Sequence, residues 1–169
     1  MKVILDMVTT LNGVIARKDY TEDFFHKDNW KIFCNISNKI GCLIFGRITY
    51  ELIKDYRPKD LEKVMKIVVS KHKNFKNQNK FIFVKSPKEA LSIAKTLGFK
   101  QILLAGGGKM NSEFMKLNLV DEIFLNVNPV IVNNGIKVFG DLNFEHKLKL
   151  LEIKKLKNDI LRMHYKVIK

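Results

Sequence analysis

Three short stretches carry residue types from which a ligand site can be built. "AGGGKM", residues 105–110, places three glycines between an apolar run and a segment of helical character. "FGRITYE", residues 45–51, sets Gly46, Arg47 and Thr49 behind another apolar run. "VVSKH", residues 68–72, ends a third run in Ser70, Lys71 and His72. Glycine inside an element costs roughly 0.5–1 kcal/mol against alanine through backbone entropy, so Gly106-Gly107-Gly108 predicts a close approach to the main chain. A helix that opens there, with Lys109 in its first turn, offers unpaired N–H groups and about half a positive charge, both suited to a phosphate. Arg47 adds a planar fork that matches anionic oxygens, and Ser70 and Lys71 put a hydroxyl beside a cation. Three such strand ends suit a dinucleotide, and a further phosphate on its adenosine ribose selects NADPH over NADH. The glycines are not a Rossmann fingerprint, because Asn111 occupies the third glycine position. Nor do they form a Walker A loop, because Met110 follows Gly108-Lys109.

Those stretches need strands that end together. Apolar runs of strand length fall at residues 3–8, 42–45, 64–69, 81–84, 102–105 and 123–127, several of them continuous, as in strands covered on both faces. Between them, Trp30, Phe33, Ile36 (or Ser37) and Ile40 recur at helical spacing behind Asp28, a predicted N-cap. Ser86, Pro87 and Glu89 spell an N-cap, a first-turn proline and a capping box, and Gly98 ends that helix. A third helix is predicted over 109–117. Residues 148–156 and 160–168 flank Lys157-Asn158-Asp159 as a terminal antiparallel hairpin. Alternating strands and helices followed by a hairpin predict one α/β domain over 1–169, with a mixed, mainly parallel sheet.

The chain has 169 residues, enough to bury a core without staples. Its net charge of +14 comes mostly from two segments: residues 54–80 carry nine Lys/Arg against three acids, and residues 147–169 carry eight against two. These clusters lack the interleaved aromatics of a single-strand binder, and no helix-turn-helix or zinc-finger pattern accompanies them, so no nucleic-acid partner is predicted. No apolar run is long enough to span a bilayer. Cys34 and Cys42 lack metal-ligand spacing and read as reduced, small apolar fillers in a cytoplasmic protein, with no metal site. Asp6 interrupts the first run and reads as a strand-edge residue without a role; Arg57 and Lys63 read as solvated cations that could attract a substrate phosphate.

"TTLNGVIA" (residues 9–16), "GRITYE" (46–51), "VVSK" (68–71), "LLAGGGKMNSEFMKLNLVDEI" (103–123) and "NPVIVNNGIKVF" (128–139) occur in one order over almost the whole chain. In that combination the sequence resembles the dihydrofolate reductase-like superfamily. Within it, the resemblance is to the C-terminal reductase domain of bacterial bifunctional riboflavin-biosynthesis deaminase-reductases and their stand-alone relatives. The resemblance implies a three-layer fold with a central sheet of about eight strands, helices on both faces and a C-terminal antiparallel hairpin. It implies an NADPH-dependent oxidoreductase acting on a small heterocycle, with or without a phosphate, and a homodimer. It assigns Val8, Ile15 and Ala16 to the nicotinamide, Gly46, Arg47 and Thr49 to the phosphates, Ser70 and Lys71 to the 2′-phosphate, and Gly106, Gly107, Gly108 and Lys109 to the pyrophosphate. It also implies a cis peptide between Gly106 and Gly107.

Departures from the family pattern bear on the substrate. Thr10-Leu11-Asn12-Gly13 stands where the riboflavin-pathway enzymes usually read S-L-D-G, and Asn12 cannot hold a negative charge. "GRITYELIKDYRP" replaces their D-P-x-L segment and is closer to the dihydrofolate reductase version. For the acidic residue that folate enzymes carry on the first helix, Asp28 and Asn29 are both candidates. Thr10, Asn12 and Asn126 are the residues expected to orient the heterocycle, with the proton drawn from water. The leading expectation is 5-amino-6-(5-phosphoribosylamino)uracil reductase-like chemistry. The alternatives are a dihydrofolate or pteridine reductase and a non-catalytic NADPH-binding protein.

Overall fold

The computed structural model of the chain describes residues 1–54, 59–72 and 80–169; Arg57 lies outside the described residues. Ten strands and four helices follow one another as β1 (Lys2–Thr10), β2 (Val14–Ala16), α1 (Asp28–Ile40), β3 (Cys42–Gly46), α2 (Arg47–Ile53), β4 (Met65–Val69), β5 (Phe81–Val84), α3 (Pro87–Thr96), β6 (Gln101–Leu104), α4 (Gly108–Lys116), β7 (Glu122–Asn128), β8 (Ile136–Lys137), β9 (Leu148–Lys155) and β10 (Leu161–Val167). Eight strands form one sheet in the order β5-β4-β3-β6-β1-β7-β10-β9. The first six run parallel, and β10 and β9 are antiparallel at one edge. β2 and β8, which the apolar pattern did not announce, make a separate two-stranded ribbon.

The continuous apolar strands are those covered on both faces. Along β3, Cys42 and Ile44 join one core cluster with Ala90, Ala94 and Phe114 of α3 and α4, while Leu43 and Phe45 join another with Cys34 and Tyr50 of α1 and α2. Burying each of the larger side chains stabilises the fold by about 1.5–3 kcal/mol. Ser86 caps α3 as predicted, the Glu89 N–H donating to Ser86 Oγ at 3.2 Å. The Glu89 carboxylate, however, accepts from the Lys85 N–H at 2.7 Å and not from that of Ser86, as a capping box would have it. Asp28 is not the cap of α1. Lys27 precedes the helix in a helical conformation, and Asp28 turns outward to accept from Asn158 Nδ2 at 3.1 Å. Asn158 and Asp159 hold φ of 58° and 55° at the hairpin tip, a conformation that Asn and Asp tolerate better than most residues.

β1 pairs with β6 only as far as Leu5↔Leu104, then continues to Thr10 alongside β7 alone. Beyond Leu104 the other side of the divide stays closed, because the Gly46 N–H donates to the Gly106 carbonyl at 2.9 Å. The sheet therefore splits between β1 and β6 at their carboxyl ends.

Candidate active site

β4, β3 and β6 are parallel neighbours, so their carboxyl ends lie side by side. Ser70 and Lys71, then Gly46, Arg47 and Thr49, then Gly106–Gly108 come together along one edge. No side-chain hydrogen bond or ion pair ties Arg47, Lys71 or Lys109 to another described residue. Arg47 is nonetheless half-buried, so its donors are available to an anion. Ser70 is buried, and its hydroxyl accepts the His72 N–H at 3.1 Å.

The three glycines do different things. Gly106 has φ +86°, and a Cβ there would lie 3.2 Å from Met7 Cε, in the split of the sheet. A Cβ on Gly108 would run into the carbonyl oxygen of Lys137. Gly107 alone has room, its nearest neighbour being Thr49 Oγ1 at 3.9 Å from the Cβ position. Two of the glycines thus answer to the chain's own packing, and the open main chain is at Gly107. The Gly106–Gly107 peptide is cis.

From that edge the split leads into a cavity of about 340 Å³ beneath α1 and α2, at the lower end of the size range for small-molecule sites. Of the residues assigned to cofactor or substrate from the sequence, Val8, Ile15, Thr49 and Asn126 line it. Ala16 is buried beside Ile15 in β2. Thr10 and Asn12 are not on its wall. Thr10 Oγ1 accepts the Val14 N–H at 2.9 Å and donates to Asn12 Oδ1 at 2.7 Å. Asn12 Nδ2 donates to the Val132 carbonyl at 2.9 Å. Thr10 closes the β1–β2 turn, and Asn12 ties that turn to the loop before β8. Lys63 is exposed and away from the cavity, whereas Lys66 lines it, buried, with its ammonium donating to the carbonyls of Leu61 at 2.6 Å and Val64 at 2.9 Å.

Asp6 is not at a strand edge. It sits inside β1, opposite Phe124 of β7, is 4% exposed and lines the cavity. Arg162 of β10 grips it with two bonds, from one terminal nitrogen at 3.2 Å and the other at 3.0 Å. The same guanidinium donates to Asn126 Oδ1 at 2.7 Å and rests 4.6 Å from the Phe124 ring centre. Burial pushes the Asp6 carboxyl above its ordinary pKa, against the lowering effect of Arg162. Of the two candidates on α1, Asn29 lines the cavity and Asp28 does not. Asn29 Nδ2 donates to Asn128 Oδ1 and to the His26 carbonyl, each at 3.0 Å, while its buried Oδ1 has no partner among the described residues.

Arg162 and Lys66 were not singled out from the sequence, and Asp6 was read there without its partner. A carboxylate within an apolar run requires a counter-charge. The period-two alternation of the last strand, which sets Arg162 and His164 on one face, was the available signal.

A family model described as the RibD C-terminal domain matches residues 1–162. The chain is 30% identical to the uncharacterized protein YyaP of Bacillus subtilis over 177 residues, covering 97% of this chain and 94% of that protein. The fold is shared with a protein ascribed to riboflavin biosynthesis in Shewanella sp. PV-4, at a TM-score of 0.84 and 19% identity over 100% of both chains. It is shared also with dihydrofolate reductase from Enterococcus faecalis complexed with NADP(H), at a TM-score of 0.77 and 15% identity, covering 99% of this chain and 97% of that one.

Proposed function

Because the chain belongs to the RibD C-terminal domain family, we propose that it is an NADPH-dependent reductase of the riboflavin-biosynthesis type, 5-amino-6-(5-phosphoribosylamino)uracil reductase-like, acting on a pyrimidine-derived substrate. One observation carries this reading: Thr49 faces the open main chain of Gly107 and also lines the cavity, so the cationic edge and the apolar pocket are continuous. An elongated ligand can lie across both.

In this reading Gly46, Arg47 and Thr49 hold phosphate oxygens, and Gly106–Lys109 meet the pyrophosphate, chiefly at Gly107. Ser70 and Lys71 receive the 2′-phosphate. Val8, Ile15 and Ala16 form the apolar wall against which the nicotinamide rests. NADPH, when bound, supplies the hydride. Asn126 orients the heterocycle, Thr10 and Asn12 shape the neighbouring turn, and water delivers the proton. α1 offers the cavity an amide, Asn29, which holds no charge; this favours a neutral pyrimidine over a pteridine. A homodimer fits the exposure of every residue of β9, among them Leu148, Leu150, Leu151 and Ile153.

Titration with NADPH and NADH tests the reading. NADPH is expected to bind more tightly; no NADPH binding at high micromolar concentration rejects it. Turnover of the aminouracil ribosyl phosphate against dihydrofolate then separates the two enzymes, and NADPH binding without turnover of either favours a non-catalytic binding protein.

A further inference from the structure

Adding a hydride to a polarised carbon leaves negative charge on the neighbouring atom, and a positioned acid speeds the step by supplying a proton there. Among the described residues two carboxyl groups line the cavity, those of Asp6 and Glu22. They differ in what holds them. Both Asp6 oxygens are engaged by Arg162. Glu22, in the loop between β2 and α1, has no side-chain hydrogen bond or ion pair with any described residue. The other acids of that loop do have partners. Asp23 accepts from Arg17 Nε at 2.7 Å, and Asp19 accepts from the Thr21 N–H at 3.1 Å and from its hydroxyl at 2.8 Å. Those hydrogen bonds push Asp19 and Asp23 below their ordinary pKa, whereas burial pushes the Glu22 carboxyl above its own. Glu22 as a whole is exposed while its carboxyl is desolvated, so the side chain links solvent to the cavity.

We propose that Glu22 is the catalytic acid, passing its proton to the heteroatom beside the carbon that receives the hydride. The inference rests on the reductase reading and makes Glu22, recharged by water, the immediate donor. In the balanced step the acceptor carbon gains the hydride and leaves NADP+ behind. The electron pair of its carbon–heteroatom bond moves onto the heteroatom, and the Glu22 O–H bond breaks to give that atom its proton. Water at the exposed end of the side chain then reprotonates the carboxylate. Placement suits the role: Ile15 of β2, on the proposed nicotinamide wall, and Glu22, in the loop that follows, line one cavity with Phe25 and Trp30. A proton on Asp6 would oppose the guanidinium that grips it, which leaves Glu22 as the carboxyl able to cycle.

The test follows single-turnover oxidation of NADPH by 5-amino-6-(5-phosphoribosylamino)uracil, and by dihydrofolate, on the full chain. Glu22→Gln keeps the shape of the side chain and should slow that step about 100-fold, with NADPH and substrate affinities held within about twofold. Glu22→Asp should recover part of the rate. The wild-type rate should fall as pH rises through the Glu22 pKa, because the acid form is lost, and this limb should be absent from Glu22→Gln. Asp6 of β1 with Arg162 of β10 behind it, His26 and Lys27 of the same loop, and Lys66 of β4 are the other ionisable groups facing the cavity. They titrate in both proteins, and His26→Gln should keep the limb. A second readout needs neither cofactor nor substrate: in carbon-13 NMR, the glutamate carboxyl signal missing from Glu22→Gln should titrate above the ordinary value of about 4.3. An undiminished rate in Glu22→Gln, a limb that survives there or vanishes in His26→Gln, or an ordinary titration of the Glu22 carboxyl overturns the proposal alone. Failure of the wild type to bind NADPH, or to turn over either substrate, overturns the reductase reading and the proposal with it.

Discussion

Asp6 and Thr10 stand on one strand, four residues apart, and show how scaffold differs from site. Around Thr10 the hydroxyl, the Asn12 amide and the main chain of Val14 and Val132 bond to one another in a closed set. Around Asp6 the set is open: one guanidinium is shared between a carboxylate and an amide, and across the cavity Asn29 Oδ1 has no partner among the described residues. Each region is built around a buried polar side chain of β1. What separates them is whether the polar atoms are already satisfied.

The largest effect is expected on the open side. Asp6→Leu leaves the largely buried Arg162 without its carboxylate and should cost about 3–5 kcal/mol in urea denaturation, most of it regained by adding Arg162→Met. A loss below 1 kcal/mol means the pair is not effectively desolvated. On the closed side, Thr10→Val removes one acceptor and one donor from the turn and should cost roughly 1–3 kcal/mol, with NADPH affinity held within twofold. A variant that keeps its stability but loses the cofactor moves Thr10 from scaffold to site. Gly108→Ala drives a methyl into the Lys137 carbonyl and should likewise cost about 1–3 kcal/mol. At the cationic edge, Ser70→Asp sets a negative charge beside the proposed 2′-phosphate and should weaken NADPH about tenfold more than NADH, close to 1.4 kcal/mol. Equal weakening of both relocates that phosphate.

The smallest effect belongs to Glu122, farther along the same sheet face. Burial raises its pKa, but hydrogen bonds from Lys2 and His164 outweigh this and hold it below the ordinary value. A depressed carboxyl stabilises the fold above its unfolded pKa of about 4.3 and loses that contribution as pH falls below it. Glu122→Gln should flatten the acid limb of the stability curve by less than about 1 kcal/mol.

The order of strands and helices was legible because covered strands read as apolar runs, and because Ser86, Pro87 and Glu89 spell out a helix start. That three strand ends meet along one edge was legible for a related reason: glycines, Arg47 and Ser70 follow directly on those runs. β2 and β8 were not, being two or three residues long and stabilised by each other. Asp6 was misjudged because its counter-charge lies 156 residues away, and nothing local distinguishes a gripped carboxylate from an idle one. Thr10 and Asn12 were placed by type at the substrate; in the fold Thr10 bonds within the β1–β2 turn, and Asn12 ties that turn to Val132.

That separation of 156 residues also sets a schedule. A chain made from its amino end exposes Asp6 long before Arg162, and Asp28 at the start of α1 long before Asn158, whose amide reaches it. Until then the cavity's carboxylate has no guanidinium and the first helix no anchor at the hairpin tip. The pocket cannot be completed until β10 is made, so the nascent polypeptide carries its carboxylate unpaired while the intervening strands are synthesised.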